Sequence, residues 1–373
     1  MSLTQNLSRG ILRSPALAAL TSPHGVDRYL EVVNPMWAVN EVRARVVRIH
    51  QETDDVTTLT LRPTSTWRGF RAGQNVLLGV EIDGSRRTRC FSISSAQTSN
   101  AQTSNAQTSN AQRGGDYEFT ITVRGHDAGL VSKHLAHRAE PGLVVHLAQA
   151  EGEFTLPANL PDRMLMISGG SGITPLMSML RTLVGTGYDG HVTFLHYSQS
   201  PEQTIFADEL AEIAERQDNI DLTVVHTRHG GQRFGEAQLK ALAPDYAVTD
   251  TFACGPAGLI QQVQEIFEDN DRLKVEYFKT STINADPHDA TGNIRFAAAE
   301  KQAKNTGATL LEQAEALDLA PAFGCRMGVC FTCTSRKVEG TVRDVVTGAE
   351  SSLPDEDIQI CVSTPVGDCV VAL

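Results

Sequence analysis

Long hydrophobic runs are missing from this 373-residue sequence: nothing in it approaches the roughly 20 apolar residues that cross a bilayer. The expectation is a protein that does not itself span a membrane. The first twenty residues, MSLTQNLSRGILRSPALAAL, also lack the basic start and uninterrupted apolar core of a secretory signal, so a cytoplasmic location is expected. Basic excess is absent too. Lys and Arg number 32 against 44 Asp and Glu, a formal net charge of −12. Nucleic acid is thereby excluded as the main partner, because a phosphate binder needs a basic footprint. Cysteine is nearly absent from most of the chain, with only Cys90 and Cys254 before Cys325, Cys330, Cys333, Cys361 and Cys369. Crowding of that kind in a cytosolic chain points to metal rather than to disulfides.

What is present is a change of texture along the chain. Residues 1–40 form a loosely patterned N-terminal extension with Pro15, Pro23 and Pro35. From Glu41 to about residue 158, short β-rich segments such as VTTLTLRP, QNVLLGVEI and YEFTITVRG are separated by Gly, Pro or Asp, which predicts an antiparallel β-barrel domain. Residues 159–278 alternate apolar strands (RMLMISGG, HVTFLHYS, LTVVHTR, TFACGP) with helix-like stretches, which predicts an α/β domain with a doubly wound parallel sheet. The polar, turn-rich residues 279–291 read as a linker. Residues 292–373 then combine strands, one helix and the cysteine loop in an α+β domain. The fold class is multidomain, and its length suffices for separate cores.

In GCRMGVCFTC the spacing is Cys325-x4-Cys330-x2-Cys333, and 27 residues intervene before Cys361. This is the plant-type spacing for a [2Fe–2S] cluster, in which thiolates converge on two irons and glycines such as Gly324 and Gly328 let backbone N–H groups approach the sulfurs. A zinc knot favours paired C-x2-C units, which the x4 gap does not supply. A non-catalytic protein with a structural zinc site remains the alternative of another class. Cys369 lies outside the pattern and reads as a small buried residue.

Two further motifs, Arg89-Cys90-Phe91-Ser92 and Gly129-Leu130-Val131-Ser132, read R-x-[YF]-S and G-x-x-S at a helix entry. Together they resemble the ferredoxin–NADP reductase family, and the cysteine segment resembles a plant-type [2Fe–2S] ferredoxin, a β-grasp domain, fused to its C-terminus. The resemblance implies an FAD domain at residues 41–158, an NAD(P) domain at 159–278 and a ferredoxin domain at 292–373. It implies that Arg89 contacts the flavin pyrophosphate, that Phe91 packs on the isoalloxazine in place of the commoner Tyr, and that Ser92 lies near flavin N5. Thr122 and Arg124 would border the ribityl and phosphates. Gly129, Val131 and Ser132, at the start of a helix, would offer amides to the phosphates.

The run Ser168-Gly169-Gly170-Ser171-Gly172-Ile173-Thr174-Pro175 follows a predicted strand and opens a helix, the setting in which a dinucleotide pyrophosphate meets backbone N–H groups. Gly170, Ser171, Gly172 and Thr174 are its binding candidates, and Cys254-Gly255-Pro256 matches the family's second nicotinamide-side motif. Glu276 and Phe278 resemble the E-x-F ending of the NADP domain in relatives with a fused ferredoxin. Ser92, Cys254 and Glu276 are accordingly the residues expected around hydride transfer. Thr227-Arg228, with Arg233-Phe234 beyond, resembles the pattern of NADPH users, Phe234 standing for the Tyr that stacks there; NADH use is the alternative.

The resemblance implies a reductase that takes a hydride from NAD(P)H on FAD and passes single electrons through the cluster to an external acceptor. The stretch SPHGVDRYLEVVNPMW resembles the extension of bacterial reductases that serve membrane acyl-CoA desaturases. It implies a membrane diiron fatty-acyl desaturase as acceptor and a peripheral position at the inner face of the membrane. The rival acceptor is an aromatic-ring oxygenase or another hydroxylase.

One feature needs no chemistry. AQTSN occurs three times without a mismatch over Ala96–Asn110, between the strands of Arg89 and Thr122. Loop-closure entropy grows only logarithmically, so fifteen extra residues cost on the order of 1 kcal/mol. The expectation is a tandem duplication in a tolerant loop, with an acceptor-docking element or an FAD-adenine lid as competing roles.

Overall fold

A computed structural model describes residues 26–39, 41–97, 117–125, 130–268, 270–277, 290–323, 328, 331–345 and 348–373. The chain divides into two compact units, Met1–Ala253 with Asn270–Lys274, and Cys254–Asp269 with Val275–Leu373. The first unit runs across the boundary expected near residue 158. The 279–289 part of the expected linker lies outside the described residues, as does the repeat from residue 98 onward.

The first unit opens with helix α1 (Val26–Val33) and a six-stranded sheet of β1 (Val42–Thr53), β2 (Val56–Pro63), β3 (Asn75–Ile82), β4 (Ser85–Ser92), β5 (Phe119–Arg124) and β6 (Val144–Leu147), ordered β4-β3-β6-β1-β2-β5. Its paired strands are antiparallel, and an isolated bridge between Ile93 and Ile121 joins the two ends of the order. Alternation sends Ala44, Val46, Leu59, Leu61, Leu78, Val80 and Ile121 into one core, where helix α2 (Leu130–Arg138) contributes Val131 and Leu135. Trp67 stacks on Phe119 at 5.0 Å.

The tail of the N-terminal extension is not loose. Asp27 is buried and accepts backbone N–H bonds from Val39 at 2.6 Å and Glu41 at 3.0 Å. Arg43, also buried, donates to Glu31, Glu41 and the Pro35 carbonyl. Two ionised groups removed from water need such partners, and they pin α1 to the first strand.

The α/β part holds β7 (Arg163–Gly169), α3 (Ile173–Thr186), β8 (His191–Ser198), α4 (Ala207–Arg216), β9 (Ile220–His226), α5 (Glu236–Leu242), β10 (Asp250–Gly255), α6 (Ala257–Phe267) and β11 (Leu273–Tyr277), in the sheet order β11-β10-β7-β8-β9. β7–β8 and β8–β9 pair in parallel. Strand order reverses beside β7, the place where open α/β sheets accept ligands.

In the second unit, β12 (Asn293–Phe296), β13 (Lys301–Lys304), helix α7 (Leu310–Ala316), β14 (Thr334–Asp344), β15 (Glu350–Ser351), β16 (Glu356–Gln359) and β17 (Ser363–Val371) build a mixed sheet. β12 runs parallel to β17, whereas β12–β13, β14–β15, β14–β16 and β14–β17 pair antiparallel. Thr309 and Glu312 form a capping box at the start of α7. Leu310, Leu311 and Ala314 then pack with Ile294, Phe296, Ile360, Val371 and the buried Cys369. Burial pushes the Cys369 thiol up to about 11, in keeping with a structural residue.

Candidate active site

The antiparallel register of β3 and β4 sets Arg89 opposite Leu78 and Ser92 opposite Asn75. Arg89, Cys90 and Phe91 are half-buried, and Ser92 is buried. Arg89 Nη1 donates to the Thr88 carbonyl at 2.8 Å, and the Cys90 thiol donates to Asn75 Oδ1 at 3.0 Å. Phe91 packs against the barrel core. Thr122 sits in a ladder of hydroxyls: its Oγ1 lies 2.8 Å from that of Thr58 and 2.9 Å from Ser94 Oγ, which also reaches Thr120 at 2.9 Å.

The Val131 side chain is in the core, because α2 turns that face inward, which leaves its backbone amide as the group that could meet a phosphate. Gly129 lies outside the described residues, and Ser132 is half-buried on the first turn of α2.

Arg124 leaves β5 toward the glycine turn that follows β7. Its Nε is 3.1 Å from the Asp55 carboxylate, and its Nη1 is 3.2 Å from where a Cβ on Gly170 would stand. Gly170 has φ +53°, a left-handed conformation that glycine takes without strain. Gly170–Gly172 form one turn of 3-10 helix and lead into α3, whose start carries no side-chain cap. Uncapped N–H groups and the positive end of the helix dipole form an anion site. Thr174 is buried and donates to the Ser171 carbonyl at 3.0 Å, fixing the turn.

Beneath this loop is a residue that sequence reasoning missed. His196 on β8 is fully buried, its Nδ1 2.8 Å from Ser168 Oγ, and its Nε2 has no partner among the described residues. Burial, then the charges of His226 and Arg124, lowers its pKa to about 3. It is therefore neutral at any physiological pH. No sequence signal singled it out, since a His on an apolar strand looks like any half-exposed one.

Also missed was the contact between the residues that follow β4 and α3. Ser178 Oγ donates to the Ser95 carbonyl at 2.7 Å, Gln97 N–H donates to Thr182 Oγ1 at 2.8 Å, and Ala72 N–H donates to Gln97 Oε1 at 2.9 Å. Arg181 donates to the Ser94 carbonyl and to both carboxylate oxygens of Glu209, and its guanidinium lies 4.6 Å from the centre of the Phe206 ring. The middle of the helix whose N-terminus forms the anion site is thus clasped to Ser94, Ser95 and Gln97, shortly after β4. Gln97, the second residue of the repeat, is also the last one described before residue 98.

At the end of β9, Thr227 N–H and Oγ1 both donate to the Ser198 carbonyl, and Arg228 N–H donates to the Gln199 carbonyl. Arg228 and Arg233 are exposed, and neither has an ion pair among the described residues. Phe234 corrects an expectation: it is buried edge-on to Tyr197 at 5.8 Å, so it presents no face for an adenine to stack on.

In the second unit, Cys254, the penultimate residue of β10, is fully buried. Burial, and then the charge of Glu276, holds its thiol well above the usual range, so it remains protonated. Gly255 and Pro256 lead into α6, which begins without a side-chain cap. Glu276 is half-buried on β11, and Phe278 lies outside the described residues. Ser92 belongs to the first unit.

Two of the four expected cluster ligands, Cys333 and Cys361, are buried in one core, and Ile360 N–H donates to the Cys333 carbonyl at 3.4 Å. Between the positions of Cys325 and Cys330, which lie outside the described residues, Gly328 has φ +76°, and its carbonyl accepts from Gln359 Nε2 at 2.8 Å. Buried cysteines on facing segments around a left-handed glycine fit an iron–sulfur centre.

Residues 166–265 match the oxidoreductase NAD-binding domain, and residues 298–366 match the 2Fe-2S iron-sulfur cluster binding domain. The chain is 35% identical to a NADPH oxidoreductase of Mycobacterium tuberculosis over 95% of its own length and 90% of that protein's. This chain belongs to the ferredoxin–NADP reductase family, in the class with a C-terminal [2Fe–2S] ferredoxin domain. Such a reductase is an oxidoreductase that uses NAD(P)H, FAD and a [2Fe–2S] cluster. It is also 29% identical to the glycine betaine monooxygenase reductase subunit of Pseudomonas aeruginosa, over 91% of this chain and 97% of that one. Among solved structures, phthalate dioxygenase reductase shares the fold with a TM-score of 0.60 at 20% identity, covering 89% of this chain and 97% of that one. No helix among the described residues is long and apolar enough to cross a membrane.

Proposed function

We propose that this reductase draws electrons from NADPH and delivers them to an oxygenase, and that the oxygenase is a membrane diiron fatty-acyl desaturase. Bound FAD would supply the conversion of a hydride donor into a source of single electrons, and the cluster would carry them outward. In this reading Arg89, Ser132 and the amides of Gly129 and Val131 bind the flavin phosphates, Phe91 and Ser92 border its ring, and Thr122 and Arg124 close its flank. Gly170, Ser171, Gly172, Thr174, Gly255 and Pro256 bind the nicotinamide nucleotide. Cys254, Glu276 and Phe278 join Ser92 around hydride transfer. Cys325, Cys330, Cys333 and Cys361 hold the cluster.

The observation that carries the choice of NADPH is a pair of exposed guanidiniums, Arg228 and Arg233, without ion pairs among the described residues at the end of the nucleotide sheet. A 2′-phosphate would give each a charge-assisted bond, and Thr227 shapes the turn that presents them. Arg228→Ala should raise KM for NADPH about tenfold more than KM for NADH. Equal losses for both nucleotides would refute the assignment.

Support for the desaturase comes from the SPHGVDRYLEVVNPMW segment, part of which is the docked helix α1. The relative named as a glycine betaine monooxygenase reductase subunit favours a second reading, a hydroxylating oxygenase. Purified reductase, NADPH, O2 and membranes containing a desaturase should convert a saturated acyl-CoA to the unsaturated product, with O2 reduced to water. Failure there, together with NADPH-dependent hydroxylation by a soluble oxygenase, would favour the second reading.

A further inference from the structure

Seven described non-glycine residues have positive φ, and five of them are acidic residues: Asp83, Glu268, Glu300, Asp318 and Asp355. The other two are Phe206 and Phe331, and a bulky side chain in that region is a genuine outlier. Phe206 has a packing reason: it is 4% exposed and lies under Arg181. Phe331, at φ +54°, is 67% exposed. Neither its backbone nor its burial benefits from a phenyl ring, and glycine would occupy the position without strain.

The position is firmly built. The Phe331 carbonyl accepts from Thr334 N–H at 3.1 Å and from Thr334 Oγ1 at 2.7 Å, closing a tight turn that presents the ring outward. Phe331 follows Cys330 directly and precedes the buried Cys333 by two residues. A strained, exposed aromatic held rigidly between two cysteines of an electron-transfer loop has one evident use, contact with whatever takes the electron.

We infer that Phe331 is the docking anchor for the protein electron acceptor, inserting into an apolar recess close to the cluster. The inference rests on the cluster-ligand reading proposed above. Residues 293–373 carry eleven acidic and seven basic residues, so the recess it fits is one with a basic rim. Each NADPH oxidised to NADP⁺ and a proton releases two electrons, which leave singly to two acceptor molecules docked in turn. Phe331 moves no proton and binds no cofactor; its part is to bring the acceptor within transfer distance.

Cytochrome c, a basic haem protein, serves as the probe, with ferricyanide as the small acceptor that needs no docking surface. Phe331→Gly and Phe331→Asn both suit a left-handed backbone. Each should keep its iron and labile sulfide, melt no lower than the wild type, and reduce ferricyanide within about twofold, while kcat/KM for cytochrome c falls about tenfold. Phe331→Tyr, which keeps the ring, should stay within about twofold of the wild type. Unchanged cytochrome c kinetics in cluster-replete Gly and Asn variants would overturn the docking role, as would equal losses with both acceptors. A wild-type protein without iron and sulfide would instead overturn the ligand reading beneath it.

Discussion

Replacing Arg181 with alanine removes the centre of the clasp between α3 and the residues that follow β4. The guanidinium donates to Glu209 Oε1 at 2.8 Å, Glu209 Oε2 at 2.5 Å and the Ser94 carbonyl at 2.5 Å, and it stacks on Phe206. The Arg181 side chain is 20% exposed and that of Glu209 38%, so water screens the ion pair, which contributes about 1 kcal/mol or less. The bond from a charged donor to the Ser94 carbonyl is worth about 1.5–3 kcal/mol. Stacking over the ring adds about 0.5–1 kcal/mol. These share one side chain and do not simply add, so the expected loss is about 3 kcal/mol. For a unit of this size that lowers Tm by roughly 6–12 °C. Glu209→Gln, which keeps the size and loses only the charge, should cost about 1 kcal/mol or less. Thermal melts followed by circular dichroism and flavin fluorescence give both values. An Arg181→Ala protein that melts within about 2 °C of the wild type would refute the reasoning.

Three other outcomes are expected. His196 has a folded pKa of about 3, below the ordinary 6.5, so the unfolded chain binds the extra proton between those values. Its contribution is complete above pH 6.5 and is lost as the pH falls toward 3, about 2 kcal/mol of it by pH 5. Urea melts at pH 7 and pH 5 should show a flatter dependence in His196→Gln, and an unchanged slope would contradict the assignment. Gly73→Ala should cost about 3 kcal/mol or more, because φ is +94° and the new Cβ would stand 2.2 Å from the Phe154 carbonyl oxygen; a Tm equal to the wild type's would refute that contact. Deleting Ala96–Asn110 lets Ala111-Gln112 inherit the places of Ala96-Gln97, including the bonds to Thr182 and Ala72. FAD content and turnover should then stay within about twofold, whereas lost acceptor turnover with flavin intact would make the repeat a docking element.

Local pattern carried the fold. Alternating β-branched residues gave away the barrel strands, and the apolar run RMLMISGG before glycines marked β7 and the anion loop at its end. The cysteine spacing is legible for the same reason, since three of the four expected ligands, Cys325, Cys330 and Cys333, are close in sequence. What stayed hidden depends on partners distant along the chain. Nothing local in the sequence marks Arg43 and Lys337 as buried, yet both are, Lys337 donating to the Ser351 carbonyl and pairing with Glu356. Only tertiary packing supplies those acceptors. Helix α1 was hidden because its anchors, Asp27 and Glu31, are acidic residues whose partners lie at Val39, Glu41 and Arg43. Phe234 was misread because a phenyl ring next to an arginine can point either way, and Tyr197 offered it a core.

Electrons are proposed to pass from NADPH through flavin to a cluster on the C-terminal domain. Anaerobic titration of the purified protein with NADPH, with iron, labile sulfide and FAD counted on the same sample, tests this relay most directly. The account predicts about one FAD, two irons and two sulfides per chain, with flavin and cluster absorbance both bleaching in the wild type. Cys330→Ser should lose the cluster signal while its flavin still bleaches. Zinc in place of iron, or a cluster that stays oxidised while the flavin is fully reduced, would contradict it.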